Sequence, residues 1–147
     1  MKILLVEDRG SVSFYLVEAL KLKGHVIFEA FNIYDALYYW ENEHIDCIIA
    51  DLNMSPEGLA DEELDQTNGG VLTGWIWLRN HVFPECEEMK SKTIIYTEYL
   101  ERLRDATAGN KEILNQIILI PKRGSTSPAE KLLEQVDGID NMVQKSK

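Results

Sequence analysis

Residues 45–51 read Ile-Asp-Cys-Ile-Ile-Ala-Asp, and residues 52–58 continue Leu-Asn-Met-Ser-Pro-Glu-Gly. A short Ile-rich run of apolar and small residues, with no polar alternation, is the pattern of a strand covered on both faces. The run stops at Asp51 and gives way to a loop with Pro56 and Gly58. An acid at the end of a buried strand either caps the next turn of chain or stands in a working site. The rest of the chain decides between the two.

Outward from this strand the same unit recurs. Ile3 to Val6 is a second apolar run, halted by Glu7 and Asp8. Ser11 to Lys23 follows with helical spacing, with Ser11 or Ser13 to start it and Gly24 to end it. His25 to Phe31 is strand-like, and Asn32 to Glu43 is helical. Beyond the opening strand, Met54 to Leu72 carries Pro56, three glycines and five acids, and reads as a long acidic loop with one helical turn near residues 59–65. Gly74 to Val82 reads as a helix, broken or kinked by Pro84, with helical character resuming towards Met89. Thr93 to Tyr96 is a fourth strand, Tyr99 to Ala106 a helix and Gln116 to Ile120 a fifth strand. Pro128 to Val143 closes the chain as a helix, with Ser127 as its N-cap and Gly138 weakening its far end. Buried strands that alternate with helices imply an α/β fold: a doubly wound, five-stranded parallel sheet with helices on both faces. Residues 1–147 are expected to form one domain, with the acidic loop at about 54–72 as an insertion.

The chain has 147 residues and a formal net charge of -10. That acidity disfavours nucleic acid and an anionic membrane surface as direct partners, since both require Lys and Arg. It suits a cation or a partner with a basic face. Cys47 and Cys86 form no C-x-x-C pair, and Cys47 reads as a buried structural thiol. Neither a signal peptide nor a run of about 20 apolar residues is visible, so a cytoplasmic location is expected.

In a doubly wound sheet, ligands bind beyond the carboxyl ends of the strands. Glu7, Asp8, Asp51, Thr97 and Lys122 all fall there. Crowded acids raise one another's pKa, which a divalent cation relieves, and oxygen-only ligands that leave room for water and phosphate suit Mg²⁺. A carboxylate so neutralised can attack a phosphoryl group, with Thr97 and Lys122 steadying its oxygens.

The segments "ILLVED", "IDCIIADLNM", "TGWIWLR", "TIIYTE" and "IILIPK" come in order, the strand segments among them each ending at the rim. Together they resemble the receiver domain of two-component response regulators over nearly the whole chain. The resemblance implies a flavodoxin-like sheet in the order 2-1-3-4-5. It implies that Asp51 accepts a phosphoryl group from a histidine kinase or phosphotransfer protein. Glu7, Asp8 and Asp51, with the backbone carbonyl of Asn53, would hold Mg²⁺, and Thr97 and Lys122 would contact the phosphoryl oxygens. Asn53 and Tyr99 stand where receivers tune the lifetime of the phosphoaspartate. The expected role is a stand-alone signalling domain rather than an enzyme, acting through an unnamed downstream protein or a homodimer.

The chain departs from that pattern in several places. Glu98 follows Thr97 where receivers carry a small residue, and Pro121 precedes Lys122 where they carry Lys-Pro. Leu119 stands at the aromatic switch position, and the acidic loop is much longer than usual. These departures keep open a second reading, a receiver-like binding module that works without phosphorylation. A third, a small doubly wound enzyme or cofactor binder, is weaker because Glu7-Asp8-Arg9-Gly10 is not a glycine-rich phosphate loop. Residues 51–62 approach a calcium-loop spacing, but Pro56 takes the place of the required glycine. The acidic loop is expected to be a solvated excursion. Trp75 and Trp77 are two apart, so one of them is expected to be partly exposed. His25, His44 and His81 need no special role.

Overall fold

The computed structural model describes residues 1–124 and 127–147, with side chains at all of these except 11 and 12. Five described strands, β1 (Lys2–Val6), β2 (Val26–Ala30), β3 (Cys47–Ala50), β4 (Thr93–Thr97) and β5 (Ile118–Pro121), form one parallel sheet in the order β2-β1-β3-β4-β5. Ile3, Leu4, Ile48, Ile49, Ile94 and Ile95 are at most 1% exposed, so the central strands are covered on both faces. This is what the uninterrupted apolar runs demand.

The two faces are separate cores. One is built by α1 (Gly10–Leu22) and α6 (Pro128–Lys145), which press Val17, Leu20, Leu132, Val136 and Ile139 against Ile3, Leu5, Cys47, Ile49 and Ile94. The other holds α2 (Ile33–Asn42), α4 (Thr73–Trp77) and α5 (Leu100–Ala106), through Ile33, Ala36, Trp75, Ile76 and Leu103. Local chemistry sets several boundaries. Asn32 caps α2 by accepting from the Asp35 N–H at 2.8 Å, and Gly24, at φ +91°, turns the chain out of α1. Pro121 ends β5, an edge strand, where a missing N–H costs no ladder bond.

Several boundaries differ from those read in the sequence. α1 begins at Gly10, and Ser13 donates back to the Gly10 carbonyl instead of capping; a cap by Ser11 falls outside the described side chains. Ser127 sits at the N-cap of α6 without a side-chain cap bond. Gly138 does not interrupt α6, which runs on to Lys145. α4 passes into a wider, π-type turn over Leu78–Val82, and tight 3₁₀ turns at Glu87–Lys92 and Lys111–Leu114 precede β4 and β5.

The acidic segment is not a solvated excursion. Glu57, Asp61, Glu62 and Asp65 are exposed, but Met54, Leu59, Thr67 and Leu72 are buried, and α3 (Asp61–Leu64) with a 3₁₀ turn at Asp65–Thr67 supplies the predicted helical turn. Its fifth acid, Glu63, points inward. It accepts from the Ala60 N–H at 3.0 Å and from Asn80 Nδ2 at 2.7 Å, and His81 Nε2 lies 3.1 Å from both its oxygens. Arg79 also reaches Gln66. His81 therefore has a definite role, pinning the segment to the turn after α4; no local spacing could reveal a partner 18 residues away. With this segment packed against it, α4 is buried all round. Both Trp75 and Trp77 are at most 1% exposed, contrary to the expectation that one would reach solvent.

Candidate functional site

The carboxyl ends of the strands meet at one rim because the backbone ladder continues one step past them. The Glu7 N–H donates to Ala30 O at 3.0 Å, the Asp51 N–H to Val6 O at 2.9 Å and the Lys122 N–H to Thr97 O at 3.0 Å. Side chains far apart in the chain are thereby held next to one another. Asp51 Oδ1 accepts from Thr97 Oγ1 at 2.6 Å and from the Leu52 N–H at 2.7 Å. Its other oxygen, Oδ2, accepts from Lys122 Nζ at 3.0 Å. Lys122 also bonds Glu7 Oε2 at 2.5 Å, and the second Glu7 oxygen accepts from the Arg9 N–H at 3.2 Å. Tyr96 supports the lysine from below, with Nζ 5.4 Å from the ring centre.

The cluster is dry: the side chains of Glu7, Asp51 and Lys122 are 7%, 5% and 9% exposed, and Thr97 is fully buried. Burial raises the Glu7 pKa and the Asp51 charge adds to it, outweighing the pull of Lys122. Burial alone would lower Lys122, but the charges of Asp51 and Glu7 prevail and its pKa is raised, so it is an ammonium at neutral pH. One cation thus serves two buried carboxylates. The arrangement is a polarised acceptor: a carboxylate whose hydrogen-bond partners among the described residues are all donors, beside a cleft of about 370 Å³ between α1 and α6.

Of the residues singled out from sequence, Glu7, Asp51, Thr97 and Lys122 come together here. Asp8 is exposed and, among the described residues, makes no hydrogen bond or ion pair; Asn53 is half-buried at the mouth of the loop after Asp51. Among the described residues, no three His, Cys, Asp or Glu side chains converge as a ready cage for a metal ion. The donor set still fits Mg²⁺ in kind: Glu7, Asp8, Asp51 and the Asn53 carbonyl offer only hard oxygen ligands, and Mg²⁺ keeps part of its water shell. Glu98 turns to Arg123, with Oε1 3.2 Å from Nε.

Gly74 is a site-positioning residue that the sequence did not single out. Its N–H donates to Leu52 O at 3.0 Å, and a β-carbon there would lie 2.1 Å from the Asp51 carbonyl oxygen. Only glycine lets α4 approach the end of β3 so closely. The single clue in the sequence was a glycine opening an otherwise bulky helical stretch.

No family model and no curated protein matches the sequence. Solved structures do match in fold. A response-regulator receiver domain from Clostridium thermocellum superposes with a TM-score of 0.63 at 18% identity, over 99% of this chain and 98% of that one. A CheY-like receiver from Methanospirillum hungatei gives 0.62 at 18%, over 98% and 97%. The response regulator TrrA of Thermotoga maritima, solved with Mg²⁺ and beryllofluoride, gives 0.60 at 18%, over 92% and 97%. The chain therefore has the fold of CheY-like receiver domains along nearly its whole length, with the 2-1-3-4-5 sheet expected from its sequence. Among the described residues, no helix is long and apolar enough to cross a membrane.

Proposed function

We propose that the chain is a phosphorylatable receiver of a two-component pathway, with Asp51 as the phosphoryl acceptor. The observation that carries this reading is the buried Asp51 carboxylate, bonded at one oxygen by Thr97 and at the other by Lys122, on the rim where doubly wound sheets bind ligands. The donor is a phosphohistidine of a histidine kinase or phosphotransfer protein. Its P–N bond breaks, a P–O bond to Asp51 forms, and the imidazole leaves with the electron pair and takes up a proton. Lys122 and Thr97 donate to the phosphoryl oxygens, and the dry surroundings strengthen both contacts. Glu7, Asp8 and Asp51, with the Asn53 carbonyl, would hold Mg²⁺, and the ion would supply charge neutralisation between the acceptor and the incoming phosphoryl group.

The output is a protein contact, in the cytoplasm, with a downstream target or a second copy; nucleic acid and membranes are disfavoured by the net charge of -10. The chain acts as a signalling domain, with no turnover beyond its own phosphorylation and dephosphorylation. Acetyl phosphate with Mg²⁺ tests this: intact mass rises by one phosphoryl group, and D51N abolishes the gain. No uptake from any donor rejects the reading. A second reading, a binding module that works without phosphorylation, is favoured by Glu98 at the rim and by Leu119 in place of a switch aromatic. It requires that partner binding be the same in D51N as in the natural chain.

A further inference from the structure

Two ionic residues lie immediately beyond the acceptor contacts. Glu98 follows Thr97, whose hydroxyl is 2.6 Å from Asp51, and Arg123 follows Lys122, whose ammonium is 3.0 Å from it. They face each other across the ends of β4 and β5, which the Lys122 N–H to Thr97 O bond joins beneath them. Both line the cleft that contains Asp51 and Lys122. The Glu98 side chain is 26% exposed and that of Arg123 80%, so the glutamate is the more sheltered partner of the pair. Without the arginine, the Glu98 carboxylate would stand unpaired in the cleft through which a phosphoryl dianion would reach Asp51.

We infer that Arg123 is a positioning residue for the acceptor site: it neutralises Glu98 and holds it aside, and so sets how fast a phosphorylated donor reaches Asp51. This rests on Asp51 being the acceptor. An ion pair this open contributes little to folding. Its effect falls instead on the approach of like charge, which is an effect on rate and depends on salt.

The test is uptake from acetyl phosphate with Mg²⁺ on the full chain at low ionic strength, followed by intact mass. In that step the bond from phosphorus to the acetyl oxygen breaks, a P–O bond to Asp51 forms and acetate leaves with the electron pair. R123A is expected to react about tenfold more slowly, equivalent to about 1.4 kcal/mol in the barrier, with an unchanged urea midpoint. R123K recovers most of the rate because it restores the charge. E98Q/R123A returns to the natural rate or above it, and the deficit of R123A shrinks at high salt. An R123A rate equal to that of the natural chain overturns the inference while leaving the acceptor assignment intact, as does a double variant as slow as R123A. Failure of the natural chain itself to take up phosphate overturns both.

Discussion

Lys122 has two duties that pull in one direction at neutral pH. Its ammonium is the shared counter-ion of Glu7 and Asp51, and all three side chains are nearly out of solvent. Breaking such a buried set from one side leaves charge uncompensated, which typically costs about 3–5 kcal/mol. K122M is therefore expected to lower unfolding stability by about 3 kcal/mol at pH 7 in urea titrations. The pH dependence has a definite sign. The raised lysine pKa means that its contribution is complete below the unfolded lysine value and is lost as pH rises through the higher folded one. Glu7 is also raised, so the folded state binds its proton more tightly than the unfolded state does. In K122M, where no cation opposes the burial of Glu7 and the nearby Asp51 charge, stability should climb as pH falls towards the ordinary carboxylate range. A K122M stability curve flat between pH 7 and 5 would show that the two acids do not share the lysine.

Among the elements, α4 and the segment before it carry the most information. Gly74 allows α4 to touch the backbone of Asp51, so G74A must push one of them away. Overpacking of this kind costs about 1–3 kcal/mol, and the displaced acceptor should also lose phosphoryl uptake. G138A is the matched control: Gly138 lies inside α6 with open space around it, and alanine there should stabilise by about 0.5–1 kcal/mol. Equal effects of the two changes would refute the close approach. Glu63 makes a pH-dependent joint. Burial raises its pKa, but bonds from Asn80, the Ala60 N–H and His81 outweigh burial and the value falls below the ordinary one. Its contribution is present above the unfolded carboxyl pKa and is lost as pH falls through the folded value. E63Q should flatten that acid limb and speed proteolysis within residues 54–72. Strand positions and the rim residues were legible in sequence because strands covered on both faces read as plain apolar runs, and because a parallel sheet puts all its carboxyl ends on one side. The joint of Glu63 with His81 and the burial of both tryptophans were not. Each depends on one segment folding back over another, and pairwise spacing along a single helix carries no trace of that.

At the scale of the whole molecule, a net charge of -10 opposes compaction, and sodium chloride should raise stability modestly by screening it. A bound cation acts differently. At a concentration tenfold above its dissociation constant it adds about 1.4 kcal/mol. At matched ionic strength, Mg²⁺ should therefore raise the melting temperature of the natural chain more than that of D51N, whereas sodium chloride raises both alike. Identical responses to Mg²⁺ would remove the carboxylate rim as the binding place. The sheet also carries its own reporter. Cys47 sits fully buried at the start of the central strand, and burial pushes its thiol far from ionisation, while Cys86 lies half-buried on the periphery. Alkylation of the peripheral sulfur follows small local fluctuations. Alkylation of the central one requires the strand to come out of the sheet, so its rate is a clock for how often the entire domain opens.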